Sequence, residues 1–452
     1  MSERLRLAVV PTYLLLCLVL GGSAQGLWSN LTLQLLAVAI IGWSLLTRWP
    51  RKITSAARVL GVLIGLLGLL FLVQLVPLPP SLWTAFPGRA VIIGGFEAMG
   101  QPLPWLPISL APYATMQTAL CLLPPLAVLA GMVLAGAYRS AWVAAAILAG
   151  TACGVIIGAL QVGNSNPSSP FYFYDRSNFG YAVGFFANSN HMASLLVASV
   201  PFLFAAVRGM REQARDERAA SAAFILGIAG SAVLIAGIAL NGSLAGVVLG
   251  VPVVALSTTM LVPRQYRLRR YLAALSVTLI VAAVAVAALI PESRSDESRE
   301  TSVQSRHEMW STTLPAIVDT MPVGTGIGTM PAVYHLYEDP ALVNSTVVVH
   351  AHNDYLELAL ETGVAGILLI LLFLLWWGRH SWAMWGAQMS DRYARAATIA
   401  SGALLVHSIV DYPLRTAALS AVFAACLAMI AQPRNRKPNQ PADLWPSRHM
   451  EV

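Results

Sequence analysis

Long apolar runs recur along almost the whole chain, and they constrain its fold more than any other feature. Each run holds about 20 residues, enough for an α-helix to cross the roughly 30 Å hydrocarbon core of a bilayer. Lipid offers backbone amides no hydrogen-bonding partner, so such a segment has to be helical or part of a closed barrel. The residues are 57% apolar and only 11% charged, which excludes an ordinary soluble domain. The sequence therefore predicts an all-α polytopic membrane protein.

Twelve runs are predicted to be transmembrane helices. The predicted spans are 7–24, 31–47, 56–77, 113–136, 141–161, 183–207, 220–240, 243–262, 271–290, 356–377, 394–410 and 414–431. They divide into helices 1 to 9, within residues 1–290, and helices 10 to 12, within 356–431. The N-terminal run also has the outline of a secretory signal. We interpret it as an uncleaved helix, because the orientation of the other spans is consistent only if it stays.

The basic residues are distributed unevenly between the two sets of loops. With the N-terminus in the cytoplasm, 22 of the 28 Lys and Arg residues lie on the cytoplasmic side, as the positive-inside rule requires. The net charge of +7 is then explained by contact with anionic membrane lipids, and a nucleic-acid partner is not expected. Six arginines oppose the trend and need another explanation: Arg89, Arg176, Arg294, Arg299, Arg306 and Arg415.

Two loops on the outer side are long. Residues 77–112 are rich in proline and aromatic residues, which disfavours regular helix and suits a segment in the membrane interface. Residues 291–355 are hydrophilic and are expected to form a large catalytic loop between helices 9 and 10. Residues 432–452 are polar and are expected to be a disordered cytoplasmic tail. The four cysteines lie inside apolar runs without CxxC spacing, which predicts buried thiols without disulfide bonds.

The sequence HAHND joins this catalytic loop to the tenth predicted span. Histidine titrates near pH 6.5, so His352 could accept a proton from a sugar hydroxyl. Two alternatives remain open from the residues alone. Asn353 or Asp354 could simply cap the helix, or His350 and His352 could bind a metal ion with Asp354.

Two of the exceptional arginines are candidates for binding phosphate. Arg306 lies four residues before Trp310, so on a helix the two side chains share a face. Arg415 lies in the sequence DYPLR between the last two spans. Guanidinium groups bind phosphate in a bidentate way, and together they could neutralise a diphosphate leaving group. The alternative for Arg415 is an ion pair with Asp411 that stabilises a helical hairpin.

Two further polar segments have a structural and a functional interpretation. Asn188, Asn190 and His191 lie at the outer end of the sixth span, either as a capped helix start or as the lining of a wet cavity. Residues 324–328 read GTGIG, and a close-packed or flexible turn is favoured over a nucleotide site because no βαβ context surrounds it. The outer loops contain no DxD pair, which disfavours a metal-dependent sugar-nucleotide transferase.

Taken together, these motifs resemble the O-antigen ligase and Wzy polysaccharide polymerase superfamily. The similarity lies in QLVPLPPSLW (74–83), FANSNHMA (186–193), Arg306 with Trp310, PVGTGIGTM (322–330), HAHNDYLELALETGVAG (350–366) and DYPLR (411–415). The resemblance implies a GT-C type fold of about twelve helices with a large periplasmic loop, in the bacterial inner membrane. It also implies a metal-independent glycosyltransferase without cofactors, whose donor is an undecaprenyl-diphosphate-linked oligosaccharide.

The resemblance also implies roles for individual residues. His352 would be the catalytic base and Arg306 would bind the donor diphosphate. His350, Asn353, Glu361 and Arg415 would shape the pocket, with Asn190, His191 and Arg299 as further substrate-binding residues. One position departs from the family pattern: Leu244 stands where an arginine is expected, and Arg415, Arg299 or Arg294 could replace it.

The expected reaction is transfer or polymerisation of lipid-linked repeat units at the periplasmic face. The acceptor is a glycan or a lipid, and polysaccharide assembly proteins are further expected partners. Ligation to lipid A core and transfer to protein Ser or Thr share this chemistry and stay open as alternatives. A transporter would need ionisable residues near the middle of several spans, and these spans are nearly free of them.

Overall fold

The computed structural model describes most of the chain. It covers residues 2–47, 52–261, 297–340, 348–386 and 391–433, with residue 343 and scattered positions between 267 and 279. For residues 297–305 only the backbone is described. The predicted C-terminal tail beyond residue 433, and most of the ninth predicted span, therefore lie outside the described residues.

The described residues form helices and no β-strand, apart from one isolated bridge between Leu78 and Leu106. The helices are α1 Glu3–Leu20, α2 Leu27–Leu46, α3 Ser55–Leu75, α4 Pro80–Trp83, α5 Ala90–Ala98, α6 Pro112–Cys121, α7 Leu123–Val133, α8 Ser140–Gly163, α9 Ser189–Gln213, α10 Glu217–Asn241, α11 Leu244–Thr258, α12 Glu297–Thr320, α13 Met330–Tyr337, α14 Asp354–Met384, α15 Arg392–His407 and α16 Ala417–Ala431, with a 3-10 turn at Pro413–Arg415. The all-α prediction is confirmed for this part of the chain.

In the part of the chain that the structure describes, seven helical segments are long and apolar enough to cross a membrane. They are α2, α3, the joined pair α6 and α7, α8, α9, α10 and α14. Helices α11 and α16 are apolar but shorter, and α1 carries Glu3, Arg4 and Arg6 in its first turns. Eleven of the twelve predicted spans coincide with helices in the described residues. A multi-pass membrane protein follows, while the count of twelve stays a prediction.

Contacts between helix ends sort the bundle into two faces. On one face, Thr54 donates to the carbonyl of Ala431 (2.5 Å), and Arg392 pairs with Glu212 (2.5 Å). On the other face, the amide of Ala418 donates to the carbonyl of Gly21 (3.0 Å). The amide of Asp354 donates to the carbonyl of Ser408 (2.9 Å) there as well, and we call this second face the site face.

Helix α9 lies at the centre of the bundle and is almost entirely buried. It packs against α8, α10, α11 and α15. Its predicted start at residue 183 is wrong, because Gly184 has a φ of +60° and the helix begins only at Ser189. The side chain of Asn188 accepts from the amide of Asn190 (2.8 Å). The predicted capped helix start is therefore present.

The loop over residues 77–112 contains more helix than the sequence analysis predicted. Prolines favour a short turn at α4, where Pro80 occupies the first helical position. The stretch without prolines, between Pro87 and Pro102, contains the nine-residue α5. The prolines of this loop therefore lie at the start of a helix or outside one.

The cysteine prediction was wrong for two of the four thiols. All four are free, but only Cys17 and Cys426 are buried, whereas Cys121 and Cys153 are exposed. A cysteine inside an apolar helix can face lipid as well as the protein core, because both exclude water.

Candidate active site

The segment from His350 to Asp354 joins the outer loop to α14 on the site face. Asn353 is the N-cap of α14, and its side-chain oxygen accepts from the amides of Tyr355 (3.0 Å) and Leu356 (3.1 Å). The capping interpretation is therefore correct for Asn353. His352, just before the cap, has a φ of +48°, a left-handed conformation that a residue with a Cβ adopts at a cost of about 1–3 kcal/mol. Such local strain is typical of residues held in place for function.

Asp411 lies at the centre of the polar groups on this face, and it is fully buried. Its Oδ1 is 3.5 Å from Nδ1 of His352 and 3.9 Å from Nε2 of His191. Its Oδ2 accepts from the side-chain amide of Asn190 (2.5 Å). The contact with His352 is longer than an ordinary hydrogen bond, as catalytic contacts often are before substrate binds. Nδ1 of His352 has no other partner among the described residues.

The charge state of Asp411 follows from these neighbours. Burial alone would raise the pKa of its carboxyl group, but His352, His191 and His407 together outweigh burial and hold that pKa below its ordinary value. Asp411 therefore remains ionised and can orient an imidazole or stabilise an imidazolium.

A second layer of contacts fixes Asn190 and extends to His407. The side-chain oxygen of Asn190 accepts from the hydroxyl of Ser243 (2.8 Å). The hydroxyl of Ser194 donates to the backbone carbonyl of Asn190 (3.0 Å) and lies 2.6 Å from Nδ1 of His407. Because that hydroxyl has a single proton, Nδ1 of His407 must be the donor in the second contact. Nε2 of His407 is buried without a partner in the described structure.

Tyr412 brings three histidine rings together. Its ring centroid lies 4.1 Å from that of His350, 4.8 Å from that of His352 and 5.0 Å from that of His191. Burial is the main reason that the pKa of its hydroxyl is raised, so the ring stays neutral. Tyr412 therefore acts as an uncharged spacer that fixes the relative positions of the histidines.

His350 has its own buried carboxylate. Its Nδ1 lies 2.9 Å and 3.3 Å from the two oxygens of Glu357, and the amide of Ala351 donates to the same carboxylate (3.2 Å). Glu357 is a residue that the sequence analysis did not single out. It lies one turn into α14, which carries the glutamate to the same face as the helix start.

Arg415 binds three carboxylates of α14. Its guanidinium lies 3.4 Å from Asp354, 3.2 Å from Glu357 and 3.2 Å from Glu361. These residues follow the i, i+3, i+7 spacing that places side chains on one face of a helix. The alternative of an Arg415–Asp411 ion pair is thus wrong. With its donors engaged by carboxylates, Arg415 is also poorly placed to bind a phosphate.

The GTGIG turn encloses Glu361. The amide of Gly326 donates to the backbone carbonyl of Glu361 (2.9 Å), and the amide of Gly328 donates to its side chain (2.8 Å). Gln74, at the end of α3, also donates to the Glu361 carbonyl (2.9 Å). A Cβ on Gly326, whose φ is +105°, would lie 2.5 Å from Ser109. The predicted close-packed turn is therefore present, with Glu361 at its centre.

Arg306 and Trp310 both lie on α12. The indole of Trp310 donates to the backbone carbonyl of Ala351 (3.0 Å), which ties α12 to the segment that carries His352. Nε of Arg306 is buried and has no hydrogen-bond partner in the described part of the chain. The guanidinium is close enough to His407 for their charges to interact.

Residues 179–371 match the family model described as O-Antigen ligase. This match supports the O-antigen ligase/Wzy superfamily for that segment, which is less than half of the chain. A search of the curated proteins found no significant match. The family match supports a membrane enzyme of the ligase or polymerase kind.

The superfamily match includes most of the predicted site. Asn190, His191, Arg306, His352 and Glu361 all lie inside it, whereas Asp411, Tyr412 and Arg415 lie beyond its end at residue 371. The structure brings both groups together on one face. The site face thus carries five of the residues predicted to bind substrate: Asn190, His191, His350, Asn353 and Glu361. Their roles in binding substrate stay predictions.

The arginine expected in this superfamily at Leu244 has no clear substitute among the described side chains. Leu244 is exposed at the start of α11. The side chain of Arg299 and the whole of Arg294 lie outside the described residues, and Arg415 is bound by three carboxylates. The role of Arg306 in binding a donor phosphate therefore stays a prediction.

The metal alternative groups His350 and His352 with Asp354. No group of three or more His, Cys, Asp and Glu residues with metal-binding spacing occurs in the described ranges. Asp354, the third ligand of the metal alternative, is instead bound by the hydroxyl of Ser408 (2.8 Å) and by Arg415.

Sequence reasoning missed Asp411 as the partner of His352, along with Glu357, His407 and Tyr412. One signal was available: Asp411 follows His407 by one helical turn at the outer end of α15, and a buried carboxylate there requires polar partners.

Proposed function

We propose that this protein is an inner-membrane glycosyltransferase that transfers or polymerises undecaprenyl-diphosphate-linked oligosaccharide at the periplasmic face. The observation that carries the proposal is the contact between His352 and the buried carboxylate of Asp411, within a segment that matches the O-antigen ligase family. The orientation rests on the distribution of basic residues: among the described ones, only Arg89, Arg176, Arg306 and Arg415 belong to the site-face loops.

The reaction is a single displacement at the anomeric carbon of the donor. The acceptor hydroxyl oxygen forms a bond to that carbon while the bond from the carbon to the phosphate oxygen breaks. The departing lipid diphosphate keeps the bonding electron pair, and the hydroxyl proton moves to His352. Because the nucleophile enters opposite the leaving group, inversion of the anomeric configuration is expected.

The described side chains divide these tasks. Nδ1 of His352 faces Asp411, which leaves Nε2 of the ring to accept the proton. The ionised Asp411 then stabilises the imidazolium that forms. Arg306 neutralises charge that develops on the leaving diphosphate. Asn190 holds Asp411 in place through a short hydrogen bond.

The experiment uses purified full-length protein in lipid nanodiscs with an undecaprenyl-diphosphate-linked repeat unit, with and without EDTA. His352→Ala should abolish elongated product, and Arg306→Ala should raise the KM for the donor. His335→Ala is the matched control, because His335 is an exposed histidine in the same outer region and pairs with Glu338. Full product from His352→Ala would overturn the assignment of the base.

Adding lipid A core as a second acceptor separates a ligase from a polymerase in the same assay. Elongation of the lipid-linked glycan supports the polymerase, whereas transfer to lipid A core supports the ligase. Loss of activity with EDTA that a divalent ion restores would overturn the metal-independent mechanism.

A further inference from the structure

His350 and Glu357 form a second histidine–carboxylate pair beside the His352–Asp411 pair. Nδ1 of His350 is 2.9 Å from Glu357, whose side chain is only 1% exposed. A carboxylate can only accept, so Nδ1 carries the proton in this contact. In the neutral ring, Nε2 of His350 then carries no proton and can accept a hydrogen bond. The same holds for Nε2 of His352, whose Nδ1 faces Asp411.

The two histidines are open to the same space. Both ring centroids lie within 5 Å of the ring of Tyr412, and both side chains are 26% exposed. Their carboxylates, by contrast, are buried. Because both rings contact Tyr412, their centroids lie no more than about 9 Å apart, a distance that one sugar residue can span.

The charged groups on the His350 side of His352 differ from those on its Asp411 side. On the His350 side, Asp354, Glu357 and Glu361 share the single guanidinium of Arg415. Three carboxyl groups therefore face one guanidinium on that side.

On the other side, the carboxylate of Asp411 is contacted by Asn190, His191 and His352, and the charge of Arg306 acts on His407. An anionic diphosphate is favoured on this second side and disfavoured on the first.

We propose that the acceptor sugar lies on the His350 side of His352, that His350 binds one of its hydroxyl groups, and that this sugar is uncharged or basic. The inference rests on the proposed function and extends it to the class of acceptor. A hydroxyl next to the attacking one donates to Nε2 of His350, which places the attacking hydroxyl against His352. A uronic acid or a phosphorylated sugar in that position would lie beside the surplus of buried carboxylates and would be repelled.

The first test separates acceptor binding from donor binding. In the nanodisc assay, His350→Gln should raise the KM for the acceptor by roughly fivefold to tenfold, as the loss of one hydrogen bond predicts. The KM for the lipid-linked donor should stay unchanged. His335→Gln is the matched control, because it alters an exposed His–Glu pair with the same 2.9 Å contact. An increase in the donor KM alone would overturn the proposal.

The second test changes only the charge of the acceptor. The probes are a repeat-unit oligosaccharide with an unmodified terminal hexose, the same sugar oxidised to a carboxylate at C6, and the methyl ester of the oxidised form. The parent protein should use the carboxylate at least about tenfold less well than the ester. In Glu357→Gln this difference should shrink, because one buried negative charge is removed. Equal use of the two probes by the parent would overturn the proposal.

The two hypotheses fail in different ways. If the parent transfers no sugar to the unmodified oligosaccharide or to the lipid-linked acceptor, the proposed function is wrong. If it transfers sugar but does not distinguish the charged probe from its ester, only the inference about the acceptor is wrong.

Discussion

The imidazole of His352 and the carboxylate of Asp411 lie 3.5 Å apart, although one precedes α14 and the other follows α15. Three features distinguish Asp411 from a residue that only stabilises the fold. It is fully buried, it is held by Asn190, and His352 adopts a left-handed backbone conformation opposite it. The pair therefore has the arrangement of a base and the group that orients it.

Asp411→Asn should lower the rate of transfer by about 100-fold or more, because the imidazole loses the charge that orients it and stabilises its protonated form. The measurement is single-turnover transfer in nanodiscs, which separates chemistry from product release. Asp175→Asn is the control, since Asp175 is exposed in another loop of the site face. A rate within about threefold of the parent would contradict the role of Asp411.

Asp411 also predicts how stability depends on pH. Its pKa in the folded protein is lowered, so the unfolded chain binds the proton more readily than the folded one. The stabilisation is therefore fully present above the ordinary value of about 3.9 and is lost as the pH falls below it.

Thermal unfolding of the parent and of Asp411→Asn in detergent checks this dependence. The difference in Tm should not narrow between pH 8 and pH 5, and it should narrow below about pH 4. A difference that already disappears near pH 6 would mean that the carboxyl group titrates above its ordinary range.

Arg415→Met should destabilise the protein by roughly 3–5 kcal/mol, because it leaves two buried carboxylates and the half-buried Asp354 without their shared cation. The stability of Arg415→Lys should lie between that of the parent and that of Arg415→Met, since an ammonium cannot bridge three acceptors as a guanidinium does. Thermal unfolding measures both variants. The control is Arg379→Met, at an exposed position on α14, which should change the Tm little. An equal loss of Tm in Arg379→Met would contradict the role of Arg415.

Gly363→Ala should also destabilise the fold, by about 2 kcal/mol or more. Gly363 has a φ of +58° and forms a kink in α14, and an added Cβ would lie 2.1 Å from the carbonyl oxygen of Pro322. Gly378→Ala on the same helix is the matched control, because nothing lies within 4 Å of its added Cβ. Thermal unfolding should show a loss only for Gly363→Ala; equal effects would show that the kink does not require glycine.

Several parts of the site could be predicted because their chemistry is local. The HAHND motif predicted a helix cap at Asn353 or Asp354, and Asn353 is that cap. Arg306 and Trp310 lie on one helix, as their expected shared face requires, while the catalytic role of His352 stays a prediction. The partners of these residues could not be predicted in the same way. Arg415 was expected to pair with nearby Asp411, but three carboxylates of α14 bind it instead, because the 3-10 turn directs it towards that helix.

The sequence by itself predicted the apolar helices that the described residues form, because hydropathy acts on each segment separately. The direction of each span, which it predicts from charge, stays a prediction. Only the tertiary structure decided which carboxylate faces which histidine. Asp411 with His352, and Glu357 with His350, are brought together by the way α14 and α15 pack at their outer ends. A contact between distant segments depends on the helix rotations that packing selects, and hydropathy does not specify those rotations.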